Sequence, residues 1–169
     1  MAISYQTLRS AANTYSVEVA KSVTEAKERG RKTAFLCHSH SDRSLVEGFV
    51  KYVRQKGWNV YIDWMDTTLP PTPSRATASR IKSKIVSCDL FIFLATHNSM
   101  NSRWCPWEIG YADGVKKLET ILIVPTESDN GTYYGNEYLQ LYRKLDVSSN
   151  DRFAFWEPGA SHGTVATSL

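Results

Sequence analysis

"DLFIFLAT", Asp89 to Thr96, holds an unbroken apolar run from Leu90 to Ala95, closed by a polar residue at each end. Six residues suit a strand buried on both faces, as the strands of parallel sheets are, better than a buried helix. The flanks agree. Before it, "SRATASRIKSKIVSC" (74–88) sets Ala78, Ile81 and Ile85 at helical intervals. After it, "SRWCPWEIGYADG" (102–114) does the same with Trp104, Trp107, Tyr111 and Ala112, a stripe that Val115 extends. Helix, strand, helix is the repeat of a layered α/β sheet.

Further strands are predicted at "TAFLCH" (33–38), "WNVYIDW" (58–64) and "ETILIVPT" (119–126), with "RFAFWE" (152–157) as a fifth. Between the first two, "SDRSLVEGFVKYVRQKG" (41–57) reads as a helix capped by Ser41 or Asp42 and ended by Gly57. "TTLPPTP" (67–73) is a loop that its prolines keep out of regular structure. "EYLQLYRKL" (137–145) reads as a short helix. Residues 1–31 are expected to form a helical extension stopped by Gly30, residues 32–158 the domain itself, and 159–169 a disordered tail. In parallel sheets ligands sit beyond the carboxyl ends of the strands. That edge here carries "HSHSD" (38–42), "DWMDTTLPP" (63–71) and "THNSMNSRW" (96–104).

Composition narrows the function. A length of 169 residues points to one domain, and 42% hydrophobic with 22% charged residues is ordinary for a globular protein. A net charge of +3, from interspersed acids and bases, does not suggest a nucleic-acid partner. The apolar runs are far short of a membrane span, and "MAISYQTLRSAANTYSVEVAKSV" has no signal-peptide core, so a cytoplasmic location without membrane attachment is expected. Cys37, Cys88 and Cys105 are odd in number and form no Cys-x-x-Cys pair, so spacing suggests neither a disulfide framework nor a zinc site.

Glu108 is the residue to explain. It falls within the apolar stripe of helix 102–114, where a carboxylate costs free energy unless something uses it. Ser102 is a natural N-cap and Pro106 is tolerable only in the first turn, which starts the helix near Arg103. Trp104 and Glu108, four apart, then share a side, and an indole beside a carboxylate suits a flat ligand that develops positive charge. A structural carboxylate paired with an Arg or a backbone N–H is the competing reading. His38-x-His40 lacks a third ligand and is better read as loop or cap than as a metal site. The basic helix residues Arg75, Arg80, Lys82 and Lys84 read chiefly as a solvated face, while Tyr133, Tyr134, Tyr138 and Tyr142 suit an assembly contact or core closure equally.

These stretches also carry a resemblance. "SRWCPWE" resembles the Ser-x-Trp-Cys-x-x-Glu signature of Toll/interleukin-1 receptor (TIR) domains. "TAFLCHSHSD" is similar to their opening strand and turn, and "GWNVYIDWMDTTLPP" to the second strand and its loop. "SRIKSKIVSCDLFIFLATHNSMNS" resembles the stretch leading to the third helix, so the likeness runs in order over about residues 32 to 125. The resemblance implies a flavodoxin-like fold, with about five parallel strands and helices on both faces. It also implies one of two roles, an assembly module or an enzyme that cleaves the nicotinamide–ribose bond of NAD.

The bacterial signal-producing TIR component of Thoeris antiphage systems is the most similar type. The resemblance then implies an NAD nucleosidase and ADP-ribosyl cyclase, Glu108 as catalytic residue, and Trp104 as the aromatic that accompanies it. The enzyme reading expects no metal and no cofactor, with NAD as substrate. Its partners would be other TIR copies and an effector reached through a diffusible cyclic nucleotide. The resemblance marks His38 and Ser39 as substrate contacts. Asp63, which ends the second strand at the same edge, is placed to anchor a hydroxyl or equally to cap its loop. The closed site that cyclisation needs makes Trp104, Trp107 and Trp64 candidate walls. The loop 67–74 lacks the Gly and the aromatic common in the family, and Leu69 is the residue placed to stand in for the aromatic.

The alternatives are a non-catalytic TIR adaptor and a nucleoside deoxyribosyltransferase-like enzyme, which also uses a Glu to break an N-glycosidic bond. A phosphoacceptor receiver shares the architecture but needs an Asp ending the third strand, where this chain has "LATH".

Overall fold

The computed structural model describes residues 1–14, 23–58, 60–63 and 74–166. Strand β4 (Leu90–Ala95) is buried at every position and lies between β2 (Lys32–Cys37) and β5 (Ile121–Glu127), parallel to both. Strand β3 (Val60–Asp63) pairs outside β2, and β7 (Arg143–Val147) outside β5, both parallel. The five parallel strands therefore run β3-β2-β4-β5-β7, the order of a flavodoxin-like sheet, with the topological switch between β2 and β4.

Strand alternation divides the core in two. Ala34, Leu36, Ile92, Leu94, Leu122 and Val124 face one side, where α1 (Tyr5–Ala12) and α3 (Arg43–Gln55) cover them. Phe35, Cys37, Phe91, Phe93, Ile121 and Ile123 face the other, under α4 (Arg75–Ser87) and α6 (Cys105–Val115). Helices α1 and α3 cross closely at Gly48, where a Cβ would stand 1.9 Å from the Leu8 carbonyl oxygen.

Several elements differ from the sequence expectation. The N-terminal segment is not one helix. Ile3–Ser4 forms β1, parallel to Thr126–Glu127 of β5, and Ser4 then caps α1 by accepting from the Thr7 N–H. A second helix, α2, spans Val23–Glu28, and Gly30 follows it with φ 65°, the left-handed turn that favours glycine.

The fifth parallel strand is β7, within and beyond the stretch read as a helix. Only Glu137–Leu141 of that stretch is helical, as a 3-10 turn. "RKLDV" carries charged residues at three of five positions, so nothing local marks it as sheet, and its pairing with β5 decides it. "RFAFWE" does supply a strand, β8 (Phe153–Trp156), but it runs antiparallel to β7. Within the stretch expected to be a disordered tail, β9 (Thr164–Val165) pairs with β8 and Ala166 is buried.

Two short elements, β6 (Tyr133–Tyr134) on β5 and α5 (His97–Met100) after β4, lie in stretches where the sequence reading expected no regular element. Tyr134 stacks on Tyr5, and Tyr142 is buried in the α4/α6 side of the core, so the tyrosine-rich segment packs inward at these positions. No helix among the described residues is long and apolar enough to cross a membrane.

Candidate active site

The carboxyl ends of β2 and β4 diverge at the switch point, and the chain there is tied together by Asp42. Its buried carboxylate accepts from Thr96 Oγ1 at 2.5 Å and from Asn98 Nδ2 at 2.6 Å. Asp42 stands at the N-cap position of α3 but caps nothing with its side chain, which these two bonds occupy. Thr96 and Ser99 form a capping box that starts α5, and Ser99 Oγ also donates to the Leu94 carbonyl at 2.8 Å. The sequence signal of this network is "THNS", a Thr three residues before a Ser.

Helix α6 begins beside this edge. Ser102 Oγ accepts from the Trp104 and Cys105 N–H groups at 3.1 and 3.3 Å, and Pro106 sits in the first turn. The helix thus starts two residues later than Arg103, with Ser102 still supplying the acceptor. Its buried stripe is Cys105, Glu108, Ile109 and Ala112, turned one residue from the expected one. Trp104, Trp107 and Tyr111 are half-buried, and Val115 is exposed. The rotation follows from packing: the smaller Cys105, Ile109 and Ala112 fit against the sheet, while the aromatics occupy the flank towards α4. There Trp104 meets Trp107 edge-on at 5.3 Å, Trp107 stacks on Tyr111, and Lys82 Nζ lies 5.0 Å from the Tyr111 ring centre.

Glu108 is 7% exposed and points into the sheet side of its helix. Its carboxylate and the Sγ atoms of Cys37 and Cys105 all lie within 4.8 Å of one another. Burial pushes the Glu108 carboxyl up to about 7, and a hydrogen bond from the Cys37 thiol acts in the opposite direction. The same burial holds the Cys37 thiol well above its ordinary value, so it is a neutral donor. No Arg or Lys acts on Glu108, which leaves its charge uncompensated within the described residues.

The other predicted residues divide. Trp104 is bonded to Glu108 through the backbone, Glu108 N–H to Trp104 carbonyl at 2.8 Å, and shares its helix end. His38 lies at the same edge but belongs to a different group: its Nδ1 is 2.8 Å from the Leu36 carbonyl, and its ring meets His40. Since a carbonyl only accepts, Nδ1 carries the proton and Nε2 is left as the free nitrogen when the ring is neutral. Burial, more than any other influence, lowers the His38 pKa and favours that neutral form. Ser39 Oγ accepts from the Ser41 N–H, a cap on the turn His40–Asp42. Asp63 ends β3, its backbone paired with Phe35 at the same sheet edge. Leu69 and Trp64 lie outside the described residues.

An open groove of about 510 Å³ runs along the flank of α6, lined by Ser74, Arg75, Ala78, Arg103, Trp104 and Trp107. Two guanidinium groups and two indoles can hold an anion and a flat ring. Glu108 is one turn from Trp104 and does not line this groove.

A family model for the TIR domain matches residues 34–155. The chain belongs to the TIR domain family. Among curated relatives, a Bacillus cereus (strain MSX-D12) protein named "Probable 3' cyclic ADP-D-ribose synthase ThsB'" is 39% identical over 110 residues, which is 64% of this chain and 57% of that one. A Cytobacillus dafuensis TIR protein, provisionally named a cyclic ADP-D-ribose synthase, is 27% identical over 81 residues, 46% of this chain and 21% of its own. The alignments thus span about half or less of these relatives. Among solved structures, a Clostridium botulinum CMP N-glycosidase aligns with a TM-score of 0.37 and 24% identity, covering 54% of this chain and 70% of that one.

Proposed function

We propose that this TIR domain is an enzyme that breaks the nicotinamide–ribose bond of NAD and releases a cyclic ADP-ribose-type signal, which activates a separate antiphage effector. The observation that carries the reading is Glu108: a buried carboxylate with no cationic partner among the described residues, at the ligand-binding edge of a parallel sheet. The synthase names of the two relatives support the same class of reaction.

Cleaving the ribosyl C–N bond passes through an oxocarbenium-like state with positive charge on the sugar. An ionised Glu108 in a low-dielectric site stabilises that charge more than water does, and can hold a ribose hydroxyl. The pyridinium of NAD is itself a cation, so its arrival favours the ionised form of a carboxyl otherwise poised near neutrality. Nicotinamide leaves as a neutral molecule, and a hydroxyl or adenine nitrogen of the same ADP-ribose bonds to the ribosyl carbon before water arrives, giving up one proton to solvent. Trp104, one helical turn before Glu108, supplies a flat wall in the groove along α6, and His38, Ser39 and Asp63 are assigned to substrate contacts at the neighbouring strand ends. Self-association through TIR contacts and a cytoplasmic setting belong to this reading.

The test compares wild type with Glu108→Gln in phage-challenged cells, following NAD and its ADP-ribose products by mass spectrometry. A cyclic product made by wild type and absent from the folded variant supports the enzyme. If neither makes one while both sustain the downstream response, the chain is a TIR assembly module.

A further inference from the structure

Cys37 and Cys105 are 68 positions apart, and the fold brings both thiols against one carboxylate. Cys37 ends β2, Cys105 opens α6, and Glu108 follows one helical turn later. All three are buried, and their Sγ and carboxylate oxygen atoms lie within 4.8 Å of one another. A fourth polar group lies on the same side of the sheet. The Tyr138 hydroxyl oxygen is buried without a hydrogen-bond partner among the described residues, and both thiols act on it electrostatically. Two sulfurs, a carboxylate and an orphaned phenol on one apolar side of a sheet are more donor atoms than packing requires.

We propose that Cys37, Cys105 and Glu108 form a binding site for a thiophilic divalent cation of the zinc class, with the Tyr138 hydroxyl or a water completing the set. Two soft sulfurs and one oxygen suit zinc or cadmium and are a poor match for magnesium or calcium, which take oxygen ligands. Zinc–sulfur and zinc–oxygen bonds of about 2.3 and 2.1 Å at tetrahedral angles put ligand atoms about 3.6 to 3.8 Å apart. The observed group must therefore contract by on the order of 1 Å or less, within reach of carboxylate and thiol rotations. Binding expels the protons of both thiols, and of Glu108 where it holds one, to solvent. Glu108 is the ligand with measurable exposure, 7% against 0% for each cysteine, so the cation enters from its side. A bound cation occupies the carboxylate that the proposed reaction needs. The site is thus inhibitory, and this regulatory part rests on the NAD-cleaving reading.

The experiment titrates the reduced full-length chain with Cd²⁺ and follows the ultraviolet thiolate-to-metal charge-transfer band, with circular dichroism checking that each variant is folded. The expected result is a band saturating at one Cd²⁺ per chain and displaced by Zn²⁺. It should be lost in Cys37→Ala and in Cys105→Ala, kept in Cys88→Ala, and kept with at least tenfold weaker affinity in Glu108→Gln. A missing band, or one that survives both single cysteine variants, overturns the site. A parallel assay follows NAD consumption in lysates of phage-challenged cells with and without Zn²⁺: slowing in wild type supports the inhibitory role, and unchanged turnover at saturating Zn²⁺ overturns it. A wild type that consumes no NAD even without metal sinks the proposed reaction, while the cadmium band still decides the metal site.

Discussion

Asp42 and Thr96 are 54 positions apart and joined by a 2.5 Å hydrogen bond that bridges the two strand ends at the switch point. Asn98 adds a second bond to the same carboxylate. Asp42→Ala leaves Asn98 without this acceptor and frees the loop after β2 from the loop after β4. Bonds to a charged acceptor are worth about 1.5–3 kcal/mol each, so a loss of about 3 kcal/mol is expected in urea unfolding. Asp42→Asn, which keeps one acceptor, should fall between. Equal stability in all three proteins would mean the bridge contributes nothing.

Glu108 makes the folded state sensitive to pH in the direction opposite to an ordinary surface carboxylate. Its folded pKa of about 7 lies above the reference value of 4.5. Below about pH 4.5 both folded and unfolded states carry the proton, and stability is unaffected by ionisation at this group. As pH rises the unfolded carboxyl ionises first, so stability falls until the folded group ionises, levelling off above about 7 on the order of 3 kcal/mol lower. Glu108→Gln should match wild type in acid and be the more stable protein at pH 8. Denaturant titrations at both pH values check it, and a difference that does not change with pH contradicts a neutral buried carboxyl.

The ionised form is the one the proposed reaction uses. In wild type, kcat/KM for NAD should therefore rise with pH through an apparent pKa near 7 and then flatten. A flat profile from pH 5 to 8 would place the titrating group elsewhere.

Gly48 is held by contact, not by conformation. A Cβ there would overlap the Leu8 backbone oxygen, which is not a flexible side-chain end that can swing away. Gly48→Ala should cost about 3 kcal/mol through separation of α1 from α3. A melting temperature unchanged from wild type would show that the crossing can relax.

Residues 1–14 belong to the core, since Ile3, Leu8 and Ala11 are buried within it and β1 extends the pairing of β5. A chain starting at residue 15 uncovers the side of α3 at Gly48, where Leu8 packs, takes the Ala12 acceptor from Lys51, and should lose cooperative unfolding. A truncated chain that melts as sharply as the full one would return this segment to the status of an appendage.

Much of the sheet was legible because its central strands announce themselves locally. Leu90–Ala95 is apolar at every position, and the helices on either side carry caps and periodicity of their own. Strand β7 was not legible, because Arg143, Lys144 and Asp146 have no apolar alternation and the strand exists through its partner. Glu108 stood out from its place among apolar residues. The identity of the face was misread by one position, since bulk alone does not tell whether a Trp goes under a helix or into the seam beside its neighbour. The meeting of Cys37 with Cys105 has no signature in spacing at all, being a product of strand parity and helix phase.

That parity has a consequence for how such a chain can change. The sheet is a partition, with α1 and α3 on one side and the thiols, Glu108 and α6 on the other. Adding or deleting one residue within β2 would exchange its two faces and send Cys37 to the wrong compartment. Substitutions confined to one compartment leave the packing of the other in place. Lineages can therefore diversify the chemical half by point replacement while the scaffold half holds still, provided the strands keep their length.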